Sequence, residues 1–572
     1  LHASGRGAAL LGAIAAAFIA TAPAAAPDGG SAPAGTYLAA RAARATADLP
    51  RAADLFAEAL EADPADPWLL GNALSANLGL GRIEQAQALA ARIVEAGLQS
   101  PYAHLVLDLG HARDGDWRGL LSELEAGRGV APLVDGLTRG WAWAGLNDSA
   151  AAASAFDELG ATPAFRSFAL YHKALALAVG GNLAGAQTAL ASDGLQRTPR
   201  VVLAQAQVLA ALGRPEEAMN LIDAAFGADL DAPLADLRAR LAANEPVAFT
   251  LVATPAEGLA ETYFSLAAVL APEDSEAGLL YARAALALDP SHAEAAILAA
   301  RLLEDLGQPA LAREAYGLVP ASDPLTLGAE IGRAGVLQSE DLDEAALEVL
   351  SRLAQDHPDS PEAQTALADH LRRMESFAEA EAAYGRAIAL LPEGAGRLWY
   401  LHFMRALAHE GQADWPATES DLRAALRLNP DQPQVLNHLG YSLVDRGEKL
   451  DEAMEMIARA VDLRPDSGAI VDSLGWAYFR LGRYAEAVEQ LELASTLLST
   501  DPVINDHLGD AYWKVGRTRE ARFQWTRALS FEPAEADEAR IRLKLAQGLD
   551  AVLAAEADDR ETTALADEAS GG

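Results

Sequence analysis

The chain has 572 residues, with 82 acidic against 44 basic side chains, a formal net charge of −38 and no cysteine. That balance disfavours a nucleic-acid backbone as partner, since phosphate contacts need clustered Lys and Arg, and it disfavours an anionic membrane surface for the same reason. Without cysteine there are no disulfides, thiolate zinc sites, cysteine nucleophiles or lipid-modified N-terminal cysteine. Hydrophobic residues reach 51 % through Ala and Leu while aromatics stay at 6 %, which is a helix-forming composition.

The N-terminus differs from everything after it. Arg6 precedes an apolar run from Ala8 to Ala20, followed by Thr21-Ala22-Pro23-Ala24. A basic start, a short apolar segment and a small-x-small site form the layout of a secretory signal, so residues 1–24 are expected to be a signal peptide and 25–32 a linker. An uncleaved anchor or an Ala-rich leader is the alternative. The run of about 13 residues falls short of the ~20 that span a bilayer, and no later stretch is long and apolar enough to do so. The expectation is an exported, soluble chain in the periplasm.

Three periodic signals follow. Gly440, Gly475 and Gly509 recur at repeat-length spacing, each after a leucine, and the last two are followed by Tyr478 and Tyr512, Ala487 and Ala521, Ala494 and Ala528. A Gly followed five residues later by Ala occurs at Gly81/Ala86, Gly181/Ala186, Gly213/Ala218, Gly307/Ala312, Gly482/Ala487 and Gly516/Ala521. Helical stretches end at Pro64, Pro290, Pro430, Pro465 and Pro533. Together they describe one unit: a helix ended by Gly, a second helix stopped by Pro, and small residues where the two cross. One such hairpin cannot bury its own apolar face, and stacking on neighbours does so.

This pattern resembles the tetratricopeptide repeat (TPR). The resemblance implies an all-α, right-handed superhelical solenoid. Repeat starts near 33, 67, 101, 133, 167, 199, 259, 293, 327, 361, 399, 433, 468 and 502 give about fourteen helix pairs. They fall into an N-terminal degenerate array (33–230) and a C-terminal array (259–549). Over 101–165 the register rests on spacing, Trp143 and Phe156. Residues 231–258 lie outside it, carry a β-prone run at 246–252, and are expected to be an ordered insertion or extended crossing that splits the solenoid into two arrays. Residues 550–572 are expected to be an acidic, disordered tail.

Nothing in the sequence calls for catalysis. The widest gap in the register is too small for an enzyme fold, and phosphate-binding loop, HExxH and nucleophile-elbow motifs are absent. His402/His409 and His104/His111 each share a helix face, but no further ligands stand nearby to complete a metal site. Asp114-Gly115-Asp116 reads as a turn rather than a calcium loop. A non-enzyme with no cofactor, no metal and no small-molecule substrate is expected.

In the resembled family the first helix of each pair lines the concave surface. This implies a protein-binding groove containing Asn437, Tyr441, Asp445, Asp472, Trp476, Arg480, Asp506, Asp510, Trp513 and Lys514, with Gln434 and Phe479 beside them. Trp476 and Trp513 occupy positions the repeat does not normally bury, unlike Trp525, Trp143 and Tyr512. They read either as anchors for a partner segment or as packing against the next helix or the tail. Asp where chaperone-tail binders carry Lys and Asn removes that carboxylate-clamp function, and acidic walls favour basic or neutral partners.

The blocks Leu436 to Arg446, Asp472 to Arg480 and Asp506 to Trp513 are also similar to the C-terminal repeats of bacterial outer-membrane TPR lipoproteins. Some of these serve as adaptors for periplasmic carboxy-terminal processing proteases that trim peptidoglycan hydrolases. Those lipoproteins carry a lipidated cysteine that this chain lacks. The resemblance implies a soluble scaffold or adaptor whose partners are proteins, including a periplasmic protease and its substrates. The alternatives are an assembly component of an envelope or polysaccharide-export complex, or a non-catalytic subunit of an enzyme complex.

Overall fold

The computed structural model describes residues 34–227 and 230–557. The expected signal peptide, the linker and the last fifteen residues of the acidic tail lie outside these. The described residues form helices and no strand. All fourteen repeat starts fall within four residues of an observed helix start.

Local chemistry sets the boundaries. Asp48, Asp66, Ser100, Asp116, Thr198, Asp274, Asp414 and Asp501 each accept a backbone N–H in the first turn of the helix that follows, offsetting donors the helix leaves unpaired. Part of the acidity is therefore capping. The six Gly of the Gly–Ala signal all adopt positive φ, from 69° at Gly307 to 83° at Gly516, and this left-handed residue turns one helix into the next. Less regular repeats place Asn147, Asp341, Glu375 and Ala413 in the same conformation, which is why glycine spacing fades there.

The chain divides into two compact units, one ending at Leu353 and the next starting at Ala354, within helix Asp343–Asp356. The division thus falls well beyond 231–258. That segment lies within the first unit, as helix Ala232–Ala242 and an extended stretch leading to helix Pro255–Leu270. The β-prone run forms no strand. Instead Gln207 Oε1 accepts the backbone N–H groups of Thr250 and Leu251 at 3.0 and 3.1 Å, pinning the run against helix Pro199–Ala211.

In the first unit the chain fills its own inner face. Helices Pro255–Leu270 and Ser275–Leu288 pack on each other, and the first also packs on helices Pro132–Gly145 and Arg166–Val179. The second packs on helices Pro67–Gly79 and Pro101–Asp114. These four are first helices of the early repeats. Trp141, fully buried, lies where a side chain at Gly258 would stand, 2.3 Å from a Cβ placed there. Its indole Nε1 donates to His172 Nδ1 at 3.2 Å, and burial lowers the His172 pKa to about 4. Arg283 Nε reaches the carbonyl of Gly79 at 3.0 Å. The core indole of this repeat is Trp141; Trp143 is only half-buried.

The second unit stacks helix pairs from Pro361–Arg373 onward. Gly440, Gly475 and Gly509 sit where a Cβ would come within 2.7, 2.6 and 2.5 Å of Ile457, Leu491 and Trp525 on the paired helix. Their spacing therefore marks the helix crossings. After helix Thr518–Leu529 comes helix Glu535–Gln547, then Gly548 at φ 85° and a further helical stretch over 549–557 in which Leu549 and Val552 are buried. This corrects the expected tail boundary: residues 550–557 are helical because Leu549 and Val552 have apolar surface to bury.

Candidate protein-binding groove

The groove face of the second unit is built from first helices that meet their neighbours through repeated polar rungs. Helix Pro433–Arg446 places Asn437, Tyr441 and Asp445, one to two turns apart, on one side. Helix Gly468–Arg480 does the same with Asp472, Trp476 and Arg480. Arg480 Nη1 lies 2.7 Å from Asp445 Oδ1, and its Nη2 donates to the Asp445 carbonyl at 3.0 Å. Both side chains are exposed, so this rung ties the two neighbouring helices at the surface. Tyr441 is half-buried, and burial, with Asp445 and Asp472 nearby, raises its hydroxyl pKa to about 12.

Trp476 is stacked between two rings, 4.0 Å from His507 at 14° and 4.8 Å from Phe479 at 8°. His507 Nδ1 is held by Asp472 Oδ2 at 3.0 Å, so Asp472 is a buried support rather than a groove wall. Trp476 Nε1 and Asn437 Oδ1 have no hydrogen-bond partner among the described residues. Both atoms are buried beneath the surface, so neither faces solvent.

The last repeat differs. Asp506 and Asp510 are buried against Lys544 of helix Glu535–Gln547, whose Nζ donates to Asp506 Oδ2 at 2.7 Å and Asp510 Oδ2 at 2.8 Å. Asp510 Oδ1 also accepts from Trp525 Nε1 at 2.9 Å. Trp513 lies over Gly548 and donates to Asp550 Oδ2 at 2.9 Å, and Lys514 pairs with the same carboxylate. Arg540 binds Glu556 at 2.7 Å. These four groove candidates are therefore taken up by the chain's own C-terminal helices. Two sequence signals point to this: Arg540 and Lys544 spaced for one helix face, and a Gly-Leu step at 548–549.

Helix Leu398–Gly411 extends the face in the other direction. Tyr400 is 38 % exposed, the Phe403 ring stands 5.9 Å from His438, and Glu410 Oε2 lies 3.0 Å from His438 Nε2. The repeat register at 399 places these residues on the same face as Asn437 and Tyr441. His402 and His409 both turn toward Asp421, which also receives a two-pronged contact from Arg405 at 2.7 Å. Burial would raise the Asp421 carboxyl, but Arg405 and His402 hold it at about 2. His104 is buried, and His111 lies 3.0 Å from Asp116.

These charges set a pH dependence. Burial, then the Asp506 charge, raise the Asp510 pKa to about 6 against the pull of Lys544. The folded unit therefore holds a proton on Asp510 that the unfolded chain has lost, so stability falls as pH rises from about 4 to 6. His507 adds to the trend: burial would lower its pKa, but Asp472 outweighs this and raises it. Its contribution is complete below its unfolded value and is lost as pH rises through the higher folded one. Thermal melts should show the C-terminal unit more stable at pH 5 than at pH 8, with Asp510→Asn flattening the slope below pH 6. An unchanged slope in that variant would contradict the assignment.

A family model described as tetratricopeptide repeat matches residues 336–397, 403–468 and 442–502. Tetratricopeptide repeats are recognised in this chain. A TPR repeat-containing protein of Pseudomonas aeruginosa is 41 % identical over 86 residues, which is 15 % of this chain and 15 % of that protein. The chain thus matches only about one-seventh of that relative's length. Among solved structures, the APC/C hetero-tetramer Cut9–Hcn1 is similar at 15 % identity over 90 % of this chain and 96 % of that one, with a TM-score of 0.38. A tetratricopeptide repeat protein from Parabacteroides merdae is similar at 15 % identity over 44 % and 96 %, with a TM-score of 0.37. TPR folds serve generally as non-catalytic protein-binding scaffolds. Among the described residues no group of three or more His, Asp or Glu is placed to hold a metal ion, and no helix is long and apolar enough to cross a membrane.

Proposed function

We propose that this chain is a non-catalytic adaptor that holds a segment of a partner protein against helices Leu398–Gly411, Pro433–Arg446 and Gly468–Arg480. One observation carries the proposal. The inner face of the first unit is packed with the chain's own helices and the last repeat of the second with its own C-terminus, whereas Tyr400, Tyr441, Asp445 and Arg480 keep exposed or half-exposed side chains. The Tyr400 and Tyr441 rings beside the exposed Asp445 and Arg480 suit an extended segment, which offers donors and acceptors along its backbone. The signal-like N-terminus supports work in the bacterial periplasm. Similarity of the 436–446, 472–480 and 506–513 blocks to adaptor lipoproteins supports a carboxy-terminal processing protease and its hydrolase substrates as partners.

Affinity capture from an envelope extract tests this with the full chain and with Tyr441→Ala/Arg480→Ala. The expected result is a protease or hydrolase retained by the parent and weakened about 30-fold in the variant, as for loss of a hot spot worth about 2 kcal/mol. Equal retention by both proteins would remove the groove from the account. Capture of secretion components instead would favour the envelope-assembly role.

A further inference from the structure

The first unit contains a cleft with two chemically distinct halves. One half is a cavity of about 430 Å³ walled by Phe168, Tyr171, Val201, Leu203, Phe264 and Val269. The other, of about 310 Å³, carries Asp236, Glu257, Asp289 and Asp323 along its wall. The halves adjoin, sharing Arg200, Leu203, Pro233 and Glu294.

The cation between them is already neutralised. Arg200 Nη2 lies 2.7 Å from Glu261 Oε2, its Nε lies 3.1 Å from Glu261 Oε1, and its Nη1 pairs with Glu294. Arg240, on the acidic side, is within 3.6 Å of Asp236 and 3.4 Å of Glu245. Counting Glu294, five carboxylates face two guanidiniums across the second half. An anionic ligand would find no free cation, while a basic group would find excess negative charge within reach.

The 231–258 segment builds much of this cleft. Pro233, Asp236, Arg240, Thr250, Leu251 and Glu257 all come from the stretch that breaks the repeat register. A regular repeat would have continued the solenoid here. The break instead leaves an apolar slot beside an acidic one.

We propose that this cleft is a second recognition site, taking a large apolar side chain of a partner protein in the first half and a neighbouring Lys or Arg of the same segment in the second. It is separate from the groove of the C-terminal repeats and does not rest on it.

Selection of displayed random dodecapeptides on the full chain tests the proposal, with binding of the enriched peptides then measured on variants. Ser265→Trp, or Ala268→Phe at the exposed rim, fills the apolar half, and Asp236→Lys reverses charge in the other. Circular dichroism identifies variants that retain the fold. The expected result is enrichment of an aromatic or large aliphatic residue within three positions of Lys or Arg. Each folded variant should then weaken binding at least tenfold, and Tyr441→Ala should leave it unchanged. The proposal is overturned by no enrichment, by acidic residues beside the apolar one, or by peptides that bind the cleft variants within twofold of the parent. Loss on Tyr441→Ala alone would move the peptides to the C-terminal groove.

Discussion

Lys544→Met is expected to destabilise the C-terminal unit by about 3–5 kcal/mol. Lys544 is fully buried and its ammonium serves two carboxylates, Asp506 and Asp510. Methionine keeps the length and apolar stem but leaves both acids without their closest cation. Arg540, 3.8 and 3.9 Å away, softens the loss and favours the lower end of the range. Adding Asp506→Ala and Asp510→Asn should restore most of the stability, because the cost lies in uncompensated charge and not in a lost contact. Urea unfolding followed by tryptophan fluorescence reads both effects. A change below about 1 kcal/mol, the level of a surface ion pair, would mean that Lys544 is solvated.

Glu261→Gln should have a comparable effect on the N-terminal unit. Glu261 is 1 % exposed and accepts from Arg200, from Tyr171 Oη at 2.8 Å and from His292 Nε2 at 3.1 Å. Burial would raise its pKa, but Arg200 and His292 hold it well below the ordinary carboxylate value. The charged form therefore stabilises the fold above that ordinary value, and the contribution disappears as pH falls through the depressed one. Glutamine removes the charge at every pH and leaves the half-buried Arg200 with Glu294 alone. The expected cost is about 3–5 kcal/mol, with faster amide exchange in helices Pro255–Leu270 and Ser275–Leu288, which Glu261 helps hold in the inner face. By contrast Arg44 and Glu276 are both nearly half-exposed, so Glu276→Gln should change stability by less than about 1 kcal/mol. Unchanged exchange in Glu261→Gln would contradict the view that this buried network closes the first unit.

The helix pairs were legible because their boundaries are local events. A left-handed Gly, a capping Asp and a Pro each act within one turn, so Gly482, Asp501 and Pro502 announce their helices without knowledge of the rest. The helix crossings were legible for the same reason at Gly440, Gly475 and Gly509, where sterics permit nothing larger. Long-range occupancy was not. Nothing near Gly258 says that Trp141 covers it, and no repeat pattern says that helices Pro255–Leu270 and Ser275–Leu288 fill the face lined by helices of repeats far earlier in the chain. The groove candidates divide along the same line. Tyr441, Asp445 and Arg480 follow from their place in the repeat. Asp506, Asp510, Trp513 and Lys514 hold the same places but are bound by Lys544 and Asp550, which lie beyond the last regular repeat, where the repeat pattern specifies no partner. The unit boundary at 353 also escaped the sequence, because it falls inside a helix and carries no Gly or Pro.

The central claim is that a partner segment lies along helices Leu398–Gly411, Pro433–Arg446 and Gly468–Arg480. Hydrogen–deuterium exchange of the full chain, with and without a saturating amount of the captured protease or hydrolase, tests it most directly. The account predicts slower exchange concentrated in those three helices, with Glu535–Gln547 unchanged. Protection confined to the first unit, or to Glu535–Gln547, would contradict it.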